Sequence, residues 1–138
     1  MLDFKKIGKK NICLIGLMGS GKSVIGKDLS RIYNLKFYDS DLEIEKIAKK
    51  SINDIFLDHG ESHFRELEEK ICNKLLNTNN CIIALGGGSI TNLKVRKLIE
   101  KNSFSIYLKV DINTLLNRLK NNHKRPLLKK INKKQKIE

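Results

Sequence analysis

Aromatic residues are scarce in this chain of 138 residues: they make up 6 %, and tryptophan is absent. Arginine is scarce too, with 5 residues against 23 lysines. Acidic side chains number 15 against 28 basic ones, which leaves a net charge of +13. Such a charge invites a nucleic-acid reading, but nucleic-acid surfaces add arginine and stacking aromatics. The excess of lysine, asparagine and isoleucine reads instead as compositional bias, so no nucleic-acid partner is expected. A basic surface does suit an anionic substrate by steering. Cysteine occurs only at positions 13, 72 and 81. Three cysteines at these spacings exclude a disulfide framework and match no metal-ligand pattern. Cys13, Cys72 and Cys81 read as buried, reduced thiols of a cytoplasmic protein. His59 and His63 are interrupted by Gly60 and lack a third ligand, so they read as ordinary surface residues. No apolar run approaches the ~20 residues of a membrane helix. Met1 to Lys10 lacks the apolar region of a secretory signal and reads as a lead-in to the first strand. The hydrophobic fraction of 40 % and charged fraction of 31 % fit one globular domain over residues 1–138.

What the chain does have is Gly16-Leu17-Met18-Gly19-Ser20-Gly21-Lys22-Ser23. This is the phosphate-loop pattern G-x-x-x-x-G-K-[ST]. Its glycines let successive backbone N–H groups converge on the phosphates of a nucleotide. Lys22 adds a mobile positive charge for the outer phosphates, and the Ser23 hydroxyl is suited to Mg²⁺. The flanks agree with the motif. Asn11 to Ile15 is a short apolar run, as in a buried parallel strand. Lys22 to Asn34 carries Ile25, Leu29 and Ile32 at helical spacing, which predicts a buried face. A glycine turn without a ligand is the alternative.

Further along, Leu35 to Tyr38 reads as a short strand that delivers Asp39-Ser40-Asp41 at its end. Ligands of open α/β sheets bind beyond strand ends. One of these carboxylates can reach a Mg²⁺ shell and the other a substrate hydroxyl; Ser40 or Asp41 can equally cap a helix over Leu42 to Lys50. Ser51 to Asp54 resembles a capping box and opens a short helix through Phe56 that Gly60 ends. A longer helix over Glu61 to Leu76 buries Phe64, Leu67, Ile71 and Leu75. Arg65 near its start offers a fork of donors to a carboxylate, or a surface ion pair with Glu68 or Glu69. Cys81 to Leu85 is a buried strand, and Gly86-Gly87-Gly88 follows at once. Three glycines allow close approach of a ligand, where one would serve the turn into a helix Asn92 to Lys101 capped by Thr91. Phe104, Ile106, Leu108 and Val110 form the more buried side of another strand. Asp111 then caps a helix with the face Ile112, Leu115, Leu116 and Leu119. The basic segment after Asn121 reads as a mobile lid over about 121–134, or as a solvated tail.

The phosphate loop, Phe37-Tyr38-Asp39-Ser40-Asp41, Gly60-Glu61 with Phe64-Arg65 and Glu68, Gly86-Gly87-Gly88 and Arg125-Pro126-Leu127-Leu128 together resemble shikimate kinase, in order and spacing. The resemblance covers about Asn11 to Leu128. It implies a P-loop kinase fold of the nucleoside-monophosphate-kinase type, a parallel sheet with helices on both faces. It also implies ATP and Mg²⁺ as reactants and phosphorylation of the 3-hydroxyl of shikimate, on the route to aromatic amino acids. By matching positions, Gly19, Ser20, Gly21, Lys22, Ser23 and Val24 would line the ATP phosphates. Ser23 would hold Mg²⁺, with Asp39 acting through water. Asp41 would bind substrate hydroxyls, Arg65 the substrate carboxylate, and Gly86, Gly87 and Gly88 the substrate through backbone. Phe56 and Phe64 would shape the pocket, Arg118 would lie against adenine, and the lid residue Arg125 would reach the transferring phosphate. Lys22, Asp39 and Arg125 are the expected catalytic residues. Val24 replaces the threonine usual in the family, which removes only a hydroxyl. The family continues with a helix bearing a second carboxylate-binding arginine, a fifth strand and an adenine loop. This sequence stops at Glu138 before them, so four strands are expected, in a monomer. A gluconate-kinase-like activity and a non-catalytic, nucleotide-binding remnant remain alternatives.

Overall fold

The computed structural model describes residues 3–17, 20–110, 113, 114 and 117. In chain order the elements are α1 (Phe4–Ile7), β1 (Asn11–Ile15), α2 (Lys22–Tyr33), β2 (Lys36–Asp39), α3 (Ser40–Ala48), α4 (Ile52–Leu76), β3 (Cys81–Ala84), a 3₁₀ turn (Ser89–Thr91), α5 (Leu93–Asn102) and β4 (Ser103–Tyr107). The strands form one sheet in the order β2-β3-β1-β4, with every pairing parallel. Parallel neighbours need helical crossovers, which is why strands and helices alternate. β1 and β3 pair in mid-sheet, with Ile12 opposite Ile82 and Cys13 opposite Ile83. Both are covered on two faces, so their sequences are unbroken apolar runs.

Side chains of a strand alternate between faces. Cys13, Cys81 and Ile83 join Ile44, Ile55, Phe64, Leu76 and Val95 in a core under α3, α4 and α5. Ile12, Leu14 and Ile82 point the other way, into a smaller core with Phe4, Leu29 and Phe37. Helices on both faces of a four-stranded parallel sheet are the predicted architecture. At the amino-terminal end of β1, buried Asn11 donates to the carbonyls of Leu76 and Thr78 and accepts from the Ser103 hydroxyl. This brace pins the end of α4 to β1 and β4.

Several expectations need correction. The lead-in contains a helical turn, α1, capped by Asp3 and anchored by buried Phe4. Of the predicted face of α2 only Leu29 packs on the core; Ile32 is 72 % exposed, and Ile25 is exposed too. The helix also meets the sheet through Gly26, where a Cβ would lie 2.2 Å from Cε1 of Phe37. A glycine contact carries no apolar signal, so the periodicity missed it. Asp39, rather than Ser40 or Asp41, caps α3. The helix after Ser51 runs past Phe56, and its two segments abut at Gly60 with φ 83° and ψ 176°. Asn92, rather than Thr91, caps α5, because Thr91 belongs to the 3₁₀ turn. β4 ends at Tyr107, and Phe104 is 47 % exposed while Ser103 is buried. Among the described residues nothing covers the outer end of this edge strand. Gly19, Arg118, Arg125, the segment 121–134 and the helix face predicted at Ile112, Leu115, Leu116 and Leu119 lie outside the described residues.

Candidate active site

The chain leaves β1 toward β2 and leaves β3 toward β4, although β1 and β3 are neighbours. Connections that depart in opposite directions open a crevice beyond the carboxyl ends of the strands. The loops after β1, β2 and β3 meet there.

In the loop after β1, Gly21 adopts φ 95° and starts α2 without a side-chain cap. That left-handed conformation suits glycine, and no side-chain cap bond is made to the first turn of the helix. Lys22 Nζ donates to the carbonyls of Gly16 at 2.6 Å and Leu17 at 3.1 Å, so the lysine folds over the loop. Ser20 is buried, and among the described residues its Oγ has no hydrogen-bond partner. Leaving a buried hydroxyl unpaired costs about 1–3 kcal/mol. Beside an uncapped helix N-terminus, that orphan fits an anion brought by a ligand.

β2 delivers Asp39, whose carboxylate has two tasks. Oδ1 accepts the backbone N–H groups of Asp41 and Leu42, at 3.0 and 3.4 Å. Oδ2 accepts the Ser23 hydroxyl at 2.6 Å. The capping role weighed for its neighbours therefore falls on Asp39 itself, and the second oxygen still faces the phosphate loop. A serine hydroxyl and a carboxylate are hard oxygen donors, which fits Mg²⁺. Among the described residues no group of three or more His, Cys, Asp or Glu is placed to hold a metal ion. An ion here would draw its other ligands from water and phosphate.

The loop after β3 forms the opposite wall. The Gly86 N–H donates to Ser40 Oγ at 2.9 Å. A Cβ at Gly86 would sit 2.6 Å from Asp41 Oδ1, and a Cβ at Gly88 would sit 2.6 Å from Arg65 Nη1. These two approaches explain why the turn needs more than one glycine. Lys22, Ser23, Asp39, Asp41, Gly86 and Gly87 line one small cleft. Arg65, on α4, lies beside this cleft against Gly88. Its Nη1 donates to Glu68 Oε1 at 2.7 Å, and its Nη2 to Glu61 Oε2 at 3.5 Å. The partner is thus Glu68; Glu69 instead accepts from Asn92. Glu68 is only 4 % exposed. Burial raises its pKa, and the Arg65 hydrogen bond and charge partly oppose that shift. Beneath Arg65, the rings of Phe56 and Phe64 lie 4.8 Å apart, and the guanidinium carbon is 5.3 Å from the Phe64 centroid.

The Val24 side chain is exposed and does not line the cleft. All three thiols are buried; burial pushes Cys72 up to about 12 and Cys81 up to about 11, and raises Cys13 as well. They stay protonated and unreactive, as expected. The sequence offered Ser40 only as a helix cap and Glu68 only as a surface ion-pair partner of Arg65. Ser40 stands between two acidic residues that drew attention away from it. Glu68 three residues after Arg65 looked like a solvated partner, because burial of one helical turn is decided by what packs on it.

A family model described as shikimate kinase matches residues 18–138. The shikimate kinase of Bartonella henselae is 44 % identical over 132 residues, 96 % of this chain and 63 % of that protein. The shikimate kinase of a Sulfurihydrogenibium species is 48 % identical over 120 residues, 87 % of this chain and 72 % of that one. This chain therefore spans about two thirds of the length of these curated relatives. The solved structure of an Acinetobacter baumannii shikimate kinase in complex with shikimate superposes with a TM-score of 0.89 at 34 % identity, covering 97 % of this chain and 75 % of that chain.

Proposed function

The chain belongs to the shikimate kinase family, and from that premise we propose that it transfers the γ-phosphoryl group of ATP to the 3-hydroxyl of shikimate. The observation that carries this reading is the cleft itself. Phosphate-loop residues Lys22 and Ser23 share it with Asp39, Asp41, Gly86 and Gly87, and Arg65 stands at its edge against Gly88. Phosphoryl transfer asks the protein mainly for positioning and charge neutralisation.

In this reading the uncapped start of α2, Ser20 and Lys22 hold the ATP phosphates. Ser23 and Asp39 hold Mg²⁺, Asp39 through water, and the ion when bound would neutralise charge on the outer phosphates. Asp41 accepts hydrogen bonds from substrate hydroxyls. Arg65 grips the substrate carboxylate, held in register by Glu68 on one side. The Gly87 backbone faces the cleft between the two ligands. Val24 contributes backbone alone. Gly19, Arg118 and Arg125 keep the phosphate, adenine and lid roles that the family pattern implies. One kinase domain over 1–138 with a basic lid at about 121–134, acting as a cytoplasmic monomer, completes the proposal. Among the described residues no helix is long and apolar enough to cross a membrane.

The test is direct. Purified protein is given ATP, Mg²⁺ and shikimate, and ADP release and phosphorylated product are measured together, with gluconate as a competing acceptor. Shikimate-dependent product is the expected result. Nucleotide binding without transfer to shikimate overturns it, and transfer to gluconate instead would favour the sugar-acid alternative.

A further inference from the structure

Ser40 has no exposed surface and sits in sequence between two residues that line the cleft, Asp39 and Asp41. Its neighbours in sequence are Asp39, tied to Ser23 of the phosphate loop, and Asp41, which stands against Gly86. Its Oγ accepts the buried N–H of Gly86 at 2.9 Å. No strand-to-strand bond performs this task, because the β2–β3 ladder ends with Asp39 opposite Ala84. Leu85 N–H bonds instead to the carbonyl of Leu14, on β1. The Gly86 amide is therefore the first group past β3 that is tied to the start of α3, and the tie is a side chain.

The spacing is tight. Asp41 Oδ1 lies 2.6 Å from where a side chain on Gly86 would begin, too close for a Cβ. A shift of the glycine loop along the cleft would thus move the Asp41 carboxylate, the Gly87 backbone and the Gly88 surface against which Arg65 rests. We infer that Ser40 is a positioning residue whose hydroxyl clasps the Gly86 amide and thereby fixes Asp41 and the Gly86 to Gly88 loop relative to each other within the acceptor-binding wall. Ser40 touches neither ligand in this role. It acts on the acceptor through Asp41 and Gly87, while the nucleotide side is held independently by the loop after β1. The inference rests on the functional reading above for its kinetic consequence, but the clasp itself is a statement about one amide and one hydroxyl.

Three substitutions separate these. Ser40→Ala removes the acceptor, Ser40→Cys keeps the volume with a weaker acceptor, and Ser40→Thr keeps the hydroxyl. Hydrogen exchange at the Gly86 amide is read by ¹⁵N NMR, with Leu85 as internal control, and KM for shikimate and for ATP are measured beside kcat. A misplacement of one ångström can cost about 10²-fold in catalysis, so we expect kcat/KM for shikimate to fall about 10- to 100-fold in the alanine and cysteine variants. KM for ATP should stay within about twofold, because the phosphate loop is untouched. Gly86 exchange should accelerate about tenfold relative to Leu85, the loss of one buried hydrogen bond. Ser40→Thr should restore both the shikimate kcat/KM and the Gly86 exchange. If Ser40→Ala fails to fold, the cysteine variant supplies the same readings. Equal losses for both substrates, unchanged Gly86 exchange, or a threonine variant as impaired as the alanine one would overturn the clasp. Should the wild-type protein transfer nothing to shikimate, the functional reading fails, and Gly86 exchange across the same variants still decides for or against the clasp.

Discussion

The two walls of the cleft are built on different plans. The proposed nucleotide wall comes from one continuous stretch, Gly16 to Ser23, shaped largely by local bonds, Lys22 to Gly16 and Leu17 and Ser20 N–H to Leu17, with the Ser23 hydroxyl reaching out to Asp39. The acceptor wall is assembled from three separated segments. Asp41 comes from α3, Arg65 from α4, and Gly86 to Gly88 from the loop after β3. It is held by longer-range contacts, Ser40 to Gly86 and Arg65 against Gly88. A continuous loop can be shaped by backbone geometry alone. An assembled wall depends on how neighbouring elements pack, so small changes far from the reacting atoms should reach it.

That contrast can be broken most sharply at Lys22. Lys22→Ala should lower kcat by on the order of 10³-fold, because a charge aimed at the developing phosphoryl charge is lost. The unfolding midpoint should stay close to wild type, since the lysine's bonds to Gly16 and Leu17 are to exposed or half-buried loop carbonyls. A coupled assay beside a thermal melt checks both. Activity near wild type would mean that the nucleotide wall works without its cation.

Arg65→Ala should act on the other wall. Losing one partner of a charge pair costs about 2–4 kcal/mol of acceptor binding, with little effect on ATP. Separate titrations of shikimate and ATP measure this. Equal weakening of both would show that the two walls are not independent.

Gly88→Ala is the gentler version. The new methyl would meet the guanidinium ends of Arg65, which are flexible and can yield. KM for shikimate should rise by about tenfold, roughly one displaced hydrogen bond, with the fold intact. A variant with unchanged KM would mean that the Arg65 position seen here is not the one used.

The smallest expected effect lies under Arg65. Burial raises the pKa of Glu68 above its ordinary 4.5. The folded state therefore holds the proton more tightly than the unfolded chain. In that case Glu68 contributes most to stability below pH 4.5, and that contribution is lost as pH rises through its higher folded-state pKa. Glu68→Gln should flatten the stability profile across this window, as denaturant melts at several pH values would reveal. A mutant that retains the wild-type slope would locate the titration elsewhere.

Much of this was legible along the chain. β1, the phosphate loop, β3 and the triple glycine each declare themselves through local physics: an apolar run on a strand buried on both faces, and glycines where backbone must come close. The burial of Phe64, Ile71 and Leu75 on α4 followed from helical spacing, and the packed core confirms it. The face of α2 followed only at Leu29. The helix also meets the sheet through Gly26 against Phe37, and a glycine adds nothing to a hydrophobic period. Helix caps were also displaced by a residue, because Asp39 and Asn92 compete with equally good neighbours and only the path of the chain selects among them.

The sequence by itself determined the parallel α/β architecture, the phosphate loop and the identity of the groups that line the cleft, because each depends on residue type at short range. The tertiary structure alone decided how those groups are held. It buried Glu68 beside Arg65, turned Ser40 inward onto Gly86, and gave Asp39 both a helix cap and a hydrogen bond from Ser23. These depend on the distance between segments dozens of residues apart, and that distance is set by the packing of helices on the sheet rather than by any local preference.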